Sequence, residues 1–269
     1  MPPLLHVQLS AGYGSSTVLH QVDLSVEPGD RLGLVGTSGA GKSTLVLALL
    51  GLLPWRRGWA KGEVLFEGRN LLTMPEREAR TLRGRRIALV PQSPMSSLNA
   101  AVSLRTHFEQ AWKAHKGGPD LNARLDRLMG QMQLSATAEF LKRKPGQISV
   151  GQAQRCVIAL ALLHSPALLI ADEPTSALDP ATQAEILDLL ADMSRTDRTA
   201  LLYISHDLLS VLRLCDRLAV LDRGHVVECL DVATLEQEAR DPATRALLAT
   251  LPAPASVLLG YRRTPLKLE

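Results

Sequence analysis

A chain of 269 residues can bury a core of its own, as one large domain or one domain with an inserted subdomain. Its 46% hydrophobic and 21% charged residues match a folded globular protein and exclude wholesale disorder, a collagen repeat and a coiled coil. The formal charge of +3, from 30 Lys and Arg against 27 Asp and Glu, is too small for a nucleic-acid footprint, and three Phe, three Tyr and three Trp are too few for a base-stacking surface, so no nucleic-acid partner is expected. The longest apolar stretches, residues 45–55 and 157–171, are too short or are interrupted by His164, Ser165 and Pro166, whereas a spanning helix takes ~20 apolar residues. The opening residues lack the basic stretch and apolar run of a secretory signal, so a cytoplasmic location is expected. Cys156, Cys215 and Cys229 are odd in number and lack metal-ligand spacing, and they read as reduced packing thiols.

In chain order, residues 5–9 and 18–26 alternate with period two and end at the turn Glu27-Pro28-Gly29-Asp30, which predicts a small antiparallel β region. Residues 31–35 form a short apolar strand, a glycine-rich turn follows, and residues 43–53 predict a helix. Residues 62–66 and 87–91 supply two more strands. From Gln92 to Ile148 the spacing turns helical, with loops at Gly117-Gly118-Pro119 and Pro145-Gly146. Strands return at 167–171, 200–205 and 218–221, separated by amphipathic segments such as 182–193, and this alternation predicts a mostly parallel sheet covered on both faces. Residues 241–269 carry four prolines and read as a peripheral tail. The basic runs at 83–86 and 142–144 read as solvated faces.

The turn Gly36-Thr37-Ser38-Gly39-Ala40-Gly41-Lys42-Ser43 matches G-x-x-x-x-G-K-[ST] between a predicted strand and a predicted helix, the context of a phosphate-binding loop. Its glycines let successive N–H groups turn inward on phosphate oxygens, and the helix N-terminus adds a favourable dipole. Lys42 suits the β- and γ-phosphates of a nucleotide, Ser43 offers a hydroxyl to Mg²⁺, and Thr44 lies at the α-phosphate region. The strand at 167–171 delivers Asp172 and Glu173 at its C-terminal end, where ligands sit in open α/β sheets. Asp172 suits Mg²⁺ through its water shell, and Glu173 suits polarising a water for in-line attack.

Glu173 continues into Pro174-Thr175-Ser176-Ala177-Leu178-Asp179, His206 follows the next strand, Ile148-Ser149-Val150-Gly151-Gln152 opens a helix, and Pro91-Gln92 follows a strand. This ordered set resembles the nucleotide-binding subunit of ABC transporters over most of residues 4–228. The resemblance implies an α/β P-loop NTPase of the ABC type with a RecA-like parallel-sheet core, an N-terminal antiparallel β region and a helical subdomain. Residues 1–91 would hold the β region and first part of the core, 92–148 the helical subdomain, 149–228 the second part of the core, and 229–269 a C-terminal tail. It also implies that Tyr13 stacks on adenine, that Gln92 reaches Mg²⁺ and the attacking water, that His206 contacts the γ-phosphate, and that Asp179 communicates across a dimer. Ser149, Gly151 and Gln152 would cap ATP held by the opposite subunit. The family pattern there is L-S-G-G-Q, and Val150 stands where its first glycine is expected. A β-branched residue disfavours positive φ and close approach to phosphate, so the sequence carries an expectation of two unequal ATP sites in a heterodimer; the alternative is that Val150 takes ordinary helix-entry angles with its side chain turned away from phosphate, since only a required positive φ excludes a non-glycine residue.

Val90-Pro91-Gln92-Ser93-Pro94-Met95-Ser96-Ser97-Leu98-Asn99 resembles the Q-D-P-x-x-S-L-N-P segment of peptide, nickel and opine importers, with Ser93 in place of Asp and Ala100 in place of Pro. Residues 241–248 resemble their H-P-Y-T-x-x-L-L element, with Asp241 and Ala243 in place of His and Tyr. The resemblance thus implies an ATPase driving uptake of a peptide, nickel or an opine-type chelate from the cytoplasmic face of the cell membrane. Its partners would be integral membrane permease subunits, a second ATP-binding subunit and, indirectly, a solute-binding protein. The competing reading is a cassette ATPase of a soluble complex, such as a phosphonate-cleaving assembly. A DNA-repair or chromosome-organising ATPase would need a long coiled-coil or zinc insertion that this sequence lacks.

Overall fold

The computed structural model describes residues 2–118 and 120–252. In chain order its strands and helices are β1 (Leu5–Tyr13), β2 (Ser16–Val26), β3 (Arg31–Val35), α1 (Lys42–Leu49), β4 (Gly58–Phe66), β5 (Arg69–Asn70), α2 (Glu76–Leu82), β6 (Ile87–Val90), α3 (Pro94–Ser97), α4 (Leu104–Ala114), α5 (Leu121–Gln131) and α6 (Ala138–Lys142). Then follow α7 (Val150–Ala161), β7 (Leu168–Asp172), α8 (Pro180–Asp197), β8 (Ala200–Ser205), α9 (Leu208–Leu214), β9 (Arg217–Asp222), β10 (His225–Asp231), α10 (Leu235–Glu238) and α11 (Pro242–Leu248). The chain forms two compact units, one running up to Met74 and resuming at Leu201, the other spanning Pro75–Ala200.

The first unit holds an antiparallel sheet ordered β2-β1-β4-β5. Along β1, Leu5, Val7 and Leu9 are buried while Gln8 is exposed, the period-two pattern of a strand with one covered face. In the same unit β3 lies parallel to both β8 and β9, and β10 closes back antiparallel on β9. Here residues 32–35 of β3 and 218–221 of β9 are apolar runs, and all six residues of β8 are buried, as strands covered on both faces require. Arg31 grips Asp216 through two bonds of 2.8 and 2.7 Å, and Arg217 pairs with Asp30 at 2.9 Å. The second unit pairs β6 with β7 in parallel, Ile87 opposite Leu168 through Val90 opposite Ala171. Helices α2 to α8 make up the rest of its regular structure, so the helical reading of 92–148 is met by α3 to α6 and a 3₁₀ turn at Pro145–Gln147.

Several boundaries differ from expectation for local reasons. The helix after the glycine-rich turn ends at Leu49 rather than 53, because Gly51 takes φ 62° and Pro54 then opens a 3₁₀ turn, Pro54–Arg56. The next strand starts at Gly58 rather than 62, since β4 pairs with β1 all the way to Tyr13. Cys156 and Cys215 are buried as expected, but Cys229 is exposed, its sulfur 3.4 Å from Nη2 of Arg217. The expected loop proline, Pro119, lies outside the described residues, as do 253–269 of the expected tail. The nearer part of that tail is folded, with α11 capped by Asp241 and Glu228 Oε1 accepting from the backbone N–H groups of Arg240 and Asp241. Among the described residues no helix is long and apolar enough to cross a membrane.

Two measurements follow. A Cβ at Gly33 on β3 would lie 2.2 Å from Val211 Cγ1 and 3.3 Å from Cys215 Sγ, so Gly33→Ala is expected to destabilise the protein by ~1–3 kcal/mol in urea unfolding. Burial pushes the Cys156 thiol up to about 12. A thiol-exchange reagent at pH 8 should therefore modify Cys229 first, and Cys156 only after unfolding.

Candidate functional site

In the first unit the loop from Gly36 to Gly41 joins β3 to α1. Its curl needs glycine at particular points: Gly39 and Gly41 take φ of 83° and 110°, and a Cβ at Gly36 would lie 2.3 Å from the Leu221 carbonyl oxygen. Lys42 opens α1 and is 8% exposed, with its ammonium turned back to donate to the carbonyl oxygens of Gly36 (2.8 Å) and Thr37 (3.1 Å). No side chain caps α1, whose N-terminus starts directly from left-handed Gly41. A cationic group inside a ring of backbone, at an uncapped helix start, fits a polyphosphate. Ser43 is exposed and Thr44 buried.

Strand register places a second group at the same edge. Val35 pairs with Ser205, so Gly36 and His206 leave neighbouring strand ends, and His206 is exposed there while Asp207 caps α9. Tyr13, half-buried, ends β1 with Ser16 opposite it on β2 and Gly58 opposite it on β4.

The second unit repeats this logic. Val90 pairs with Ala171, so Gln92 and Glu173 follow adjacent strand ends, and Gln92 Nε2 donates to Glu173 Oε2 at 3.0 Å. Asp172, half-buried, is the last residue of β7. Glu173 takes φ 45°, a left-handed conformation uncommon for a non-glycine residue, and its carbonyl accepts from Ser176 Oγ at 3.1 Å. Strained backbone at a strand end carrying a paired carboxylate is a feature of functional sites.

Asp179 caps α8, its carboxylate accepting from the N–H groups of Ala181 and Thr182 and from Thr182 Oγ1 at 2.7 Å. That hydroxyl bond, with the two backbone bonds, holds the carboxyl below its ordinary range. Ser149 and Gln152 form a capping box on α7, the Ser149 oxygen accepting from Gln152 N–H and Gln152 Oε1 from Ser149 N–H, at 3.1 Å each. The two caps are neighbours, since a Cβ at Gly151 would lie 3.0 Å from Thr182 Cγ2.

Val150 takes the ordinary helix-entry course of the two that its sequence left open. It is the first residue of α7, 42% exposed, and takes no positive φ, so the backbone asks for no glycine there. Arg155 is a residue the sequence reading passed over. Only 7% exposed, it pairs with Glu185 of α8 and donates to the Met132 carbonyl at 2.9 Å and Gln133 Oε1 at 3.2 Å. Its signal was available: one arginine within the otherwise apolar run that follows Gln154.

A glycine-cradled lysine at a strand-to-helix turn in the first unit, and a carboxylate at a strand end in the second, are each features of nucleotide-binding P-loop ATPases. Comparison with known proteins gives the family. The ABC transporter family profile matches residues 19–176. The peptidoglycan transport ATP-binding protein YejF of Agrobacterium fabrum is 38% identical over 92% of this chain, and the dipeptide transport ATP-binding protein DppD of Escherichia coli is 37% identical over 93%. The matched region makes up 46% of the YejF relative's length and 78% of DppD's. A dimeric structure of the ATP-binding cassette MJ0796, in a post-hydrolysis state with ADP and phosphate, superposes with a TM-score of 0.73 at 25% identity, covering 84% of this chain and 97% of that one. The chain belongs to the ABC transporter family and is an ATP-binding, ATP-hydrolysing cassette.

Substitutions at the α7 cap separate its parts. Ser149→Ala should cost ~1 kcal/mol of stability in thermal unfolding, by removing the acceptor for an orphan N–H. Val150→Gly should leave ATP hydrolysis unchanged, because no positive φ has to be relieved. A faster Val150→Gly enzyme would show that the side chain itself obstructs phosphate.

Proposed function

We propose that this chain is the motor of an importer for peptides or peptide-like solutes, working at the cytoplasmic face of the membrane with permease subunits and a second cassette. The observation that carries the catalytic reading is the Gln92–Glu173 hydrogen bond, which aims a carboxylate and an amide from adjacent strand ends. The solute class is supported by DppD and other relatives named for oligopeptide transport. The cytoplasmic location goes with this reading because ATP is supplied there.

In this reading the backbone of residues 36–41 cradles the phosphates, Lys42 leaves its two carbonyl partners to meet the β- and γ-phosphates, and Thr44 lies at the α-phosphate. Tyr13 stacks on adenine. Glu173 takes a proton from water as the water oxygen bonds to the γ-phosphorus, and the bond to the β–γ bridging oxygen breaks to release ADP and phosphate. His206 holds the γ-phosphate, and Gln92 orients the water. The donor set of one hydroxyl, Ser43, one carboxylate, Asp172, and one amide, Gln92, suits Mg²⁺, a hard cation that keeps several waters. When bound, Mg²⁺ supplies charge neutralisation on the phosphates. Ser149, Gly151 and Gln152 present a helix N-terminus to ATP held by the second cassette, with Asp179 beside them. With Val150 at ordinary helical angles, no backbone strain distinguishes a heterodimer from a pair of identical chains.

Glu173→Gln keeps the shape of the side chain and loses its charge, so ATP binding should persist while hydrolysis falls at least ~100-fold. Lys42→Ala should weaken ATP binding itself. Calorimetric affinity and phosphate release check both, and near-normal turnover by Glu173→Gln would remove that residue from the mechanism.

A further inference from the structure

We propose that Trp59 and Gly58, at the start of β4, are positioning residues that set the ring of Tyr13 for the nucleotide base; this rests on the reading of Tyr13 as the adenine platform. The hairpin joining β1 to β2 turns through Gly14 and Ser15, with Tyr13 opposite Ser16 and Gly14 at φ 53°. A tip made of glycine and serine has no bulky side chain to fix its own direction, so the residue at its base takes its orientation from a neighbouring element. That element is β4. The indole N–H of Trp59 donates to the Gly14 carbonyl at 3.0 Å, tying the tip to the neighbouring strand, and the Lys61 ammonium lies 5.6 Å from the Trp59 ring centroid.

Gly58 fixes the other degree of freedom. A Cβ there would lie 3.0 Å from Tyr13 Cε1, 3.0 Å from Leu53 Cδ2 and 3.1 Å from the Gly12 carbonyl oxygen. The Tyr13 ring therefore rests against the bare α-carbon of Gly58, which is itself held by its N–H on the Leu53 carbonyl at 2.9 Å. Tyr13 keeps part of its surface in solvent. One contact sets where the ring lies and the other holds the turn that carries it. Neither Trp59 nor Gly58 belongs to the phosphate loop, so together they govern affinity for the base and leave affinity for the phosphates alone.

The test compares ADP, which carries the base, with pyrophosphate, which does not, by calorimetric titration of the full chain. Trp59→Phe keeps an aromatic ring and loses the donor, and Gly58→Ala places a methyl against the Tyr13 ring. Each should weaken ADP binding about fivefold and leave pyrophosphate binding unchanged, the size expected for one hydrogen bond or a comparable contact. In steady state KM for ATP should rise while kcat holds. Adding Trp59→Phe to Tyr13→Ala should cause no further loss of ADP affinity. Three results overturn the proposal: ADP affinity of wild-type size in Trp59→Phe beside a weakened Tyr13→Ala, equal loss of ADP and pyrophosphate binding, or additive losses in the double variant. A Tyr13→Ala protein that binds ADP as wild type does would overturn the base-stacking reading and this proposal with it.

Discussion

Register between parallel strands is the constraint on which the chemistry depends. Strands buried on both faces leave no room for polar side chains along their length, so reactive groups can emerge only where a strand ends. In the first unit the pairing of Val35 with Ser205 brings Gly36 and His206 out side by side. In the second, the pairing of Val90 with Ala171 does the same for Gln92 and Glu173, and their 3.0 Å hydrogen bond is the direct result. A slip of one residue in either pair would turn an apolar side chain to the edge and a polar one into the core.

A second constraint acts on α7 and α8. Both helices begin with side-chain caps, Ser149 on one and Asp179 on the other, and Gly151 lets the two starts approach so that Thr182 Cγ2 would touch any added Cβ. At the sixth residue of α7, the buried guanidinium of Arg155 ties it to Glu185 of α8 and to the chain end of α5. A charge so nearly excluded from water is tolerable only with this full set of partners, which makes the junction between the two helices stiff and specific.

What the sequence revealed was local in character. The phosphate loop was legible because its spacing encodes a backbone path, and the strand ends at Asp172 and Ser205 were legible because apolar runs stop there. What it hid was set by distant partners. The start of β4 at Gly58 depends on pairing with Tyr13 of β1, forty-five residues away in the chain, and no pattern within residues 58–61 announces it. The sequence left two conformations open for Val150, and the one realised is the ordinary helix entry, which the capping box of Ser149 and Gln152 on either side of it supports. Cys229 was misread because burial belongs to the edge position of β10, not to the residue type. The contacts that hold Tyr13 come from Trp59 and Gly58, and an indole donor carries no positional signature in sequence.

In the proposed reading, the base platform and the phosphate loop of the first unit share one frame while sitting on different sheets. Strand β2 pairs with β1, which ends in Tyr13, and packs Leu19 against the loop where a Cβ at Gly41 would lie 2.7 Å from Leu19 Cδ2. The N–H of His20 on β2 donates to the Gly224 carbonyl at 2.8 Å, and the Gly224 N–H in turn donates to the Ala40 carbonyl at 3.1 Å. Arg223 and Gly224 both take positive φ, the tight turn that joins β9 to β10, and a Cβ at Gly224 would lie 2.1 Å from the Val18 carbonyl oxygen. The route from Tyr13 to the loop thus runs along paired backbone and two short hydrogen bonds, with no flexible side chain in it. Such a path fixes the distance between Tyr13 and the loop, so that, in the proposed reading, ordering costs little when nucleotide binds.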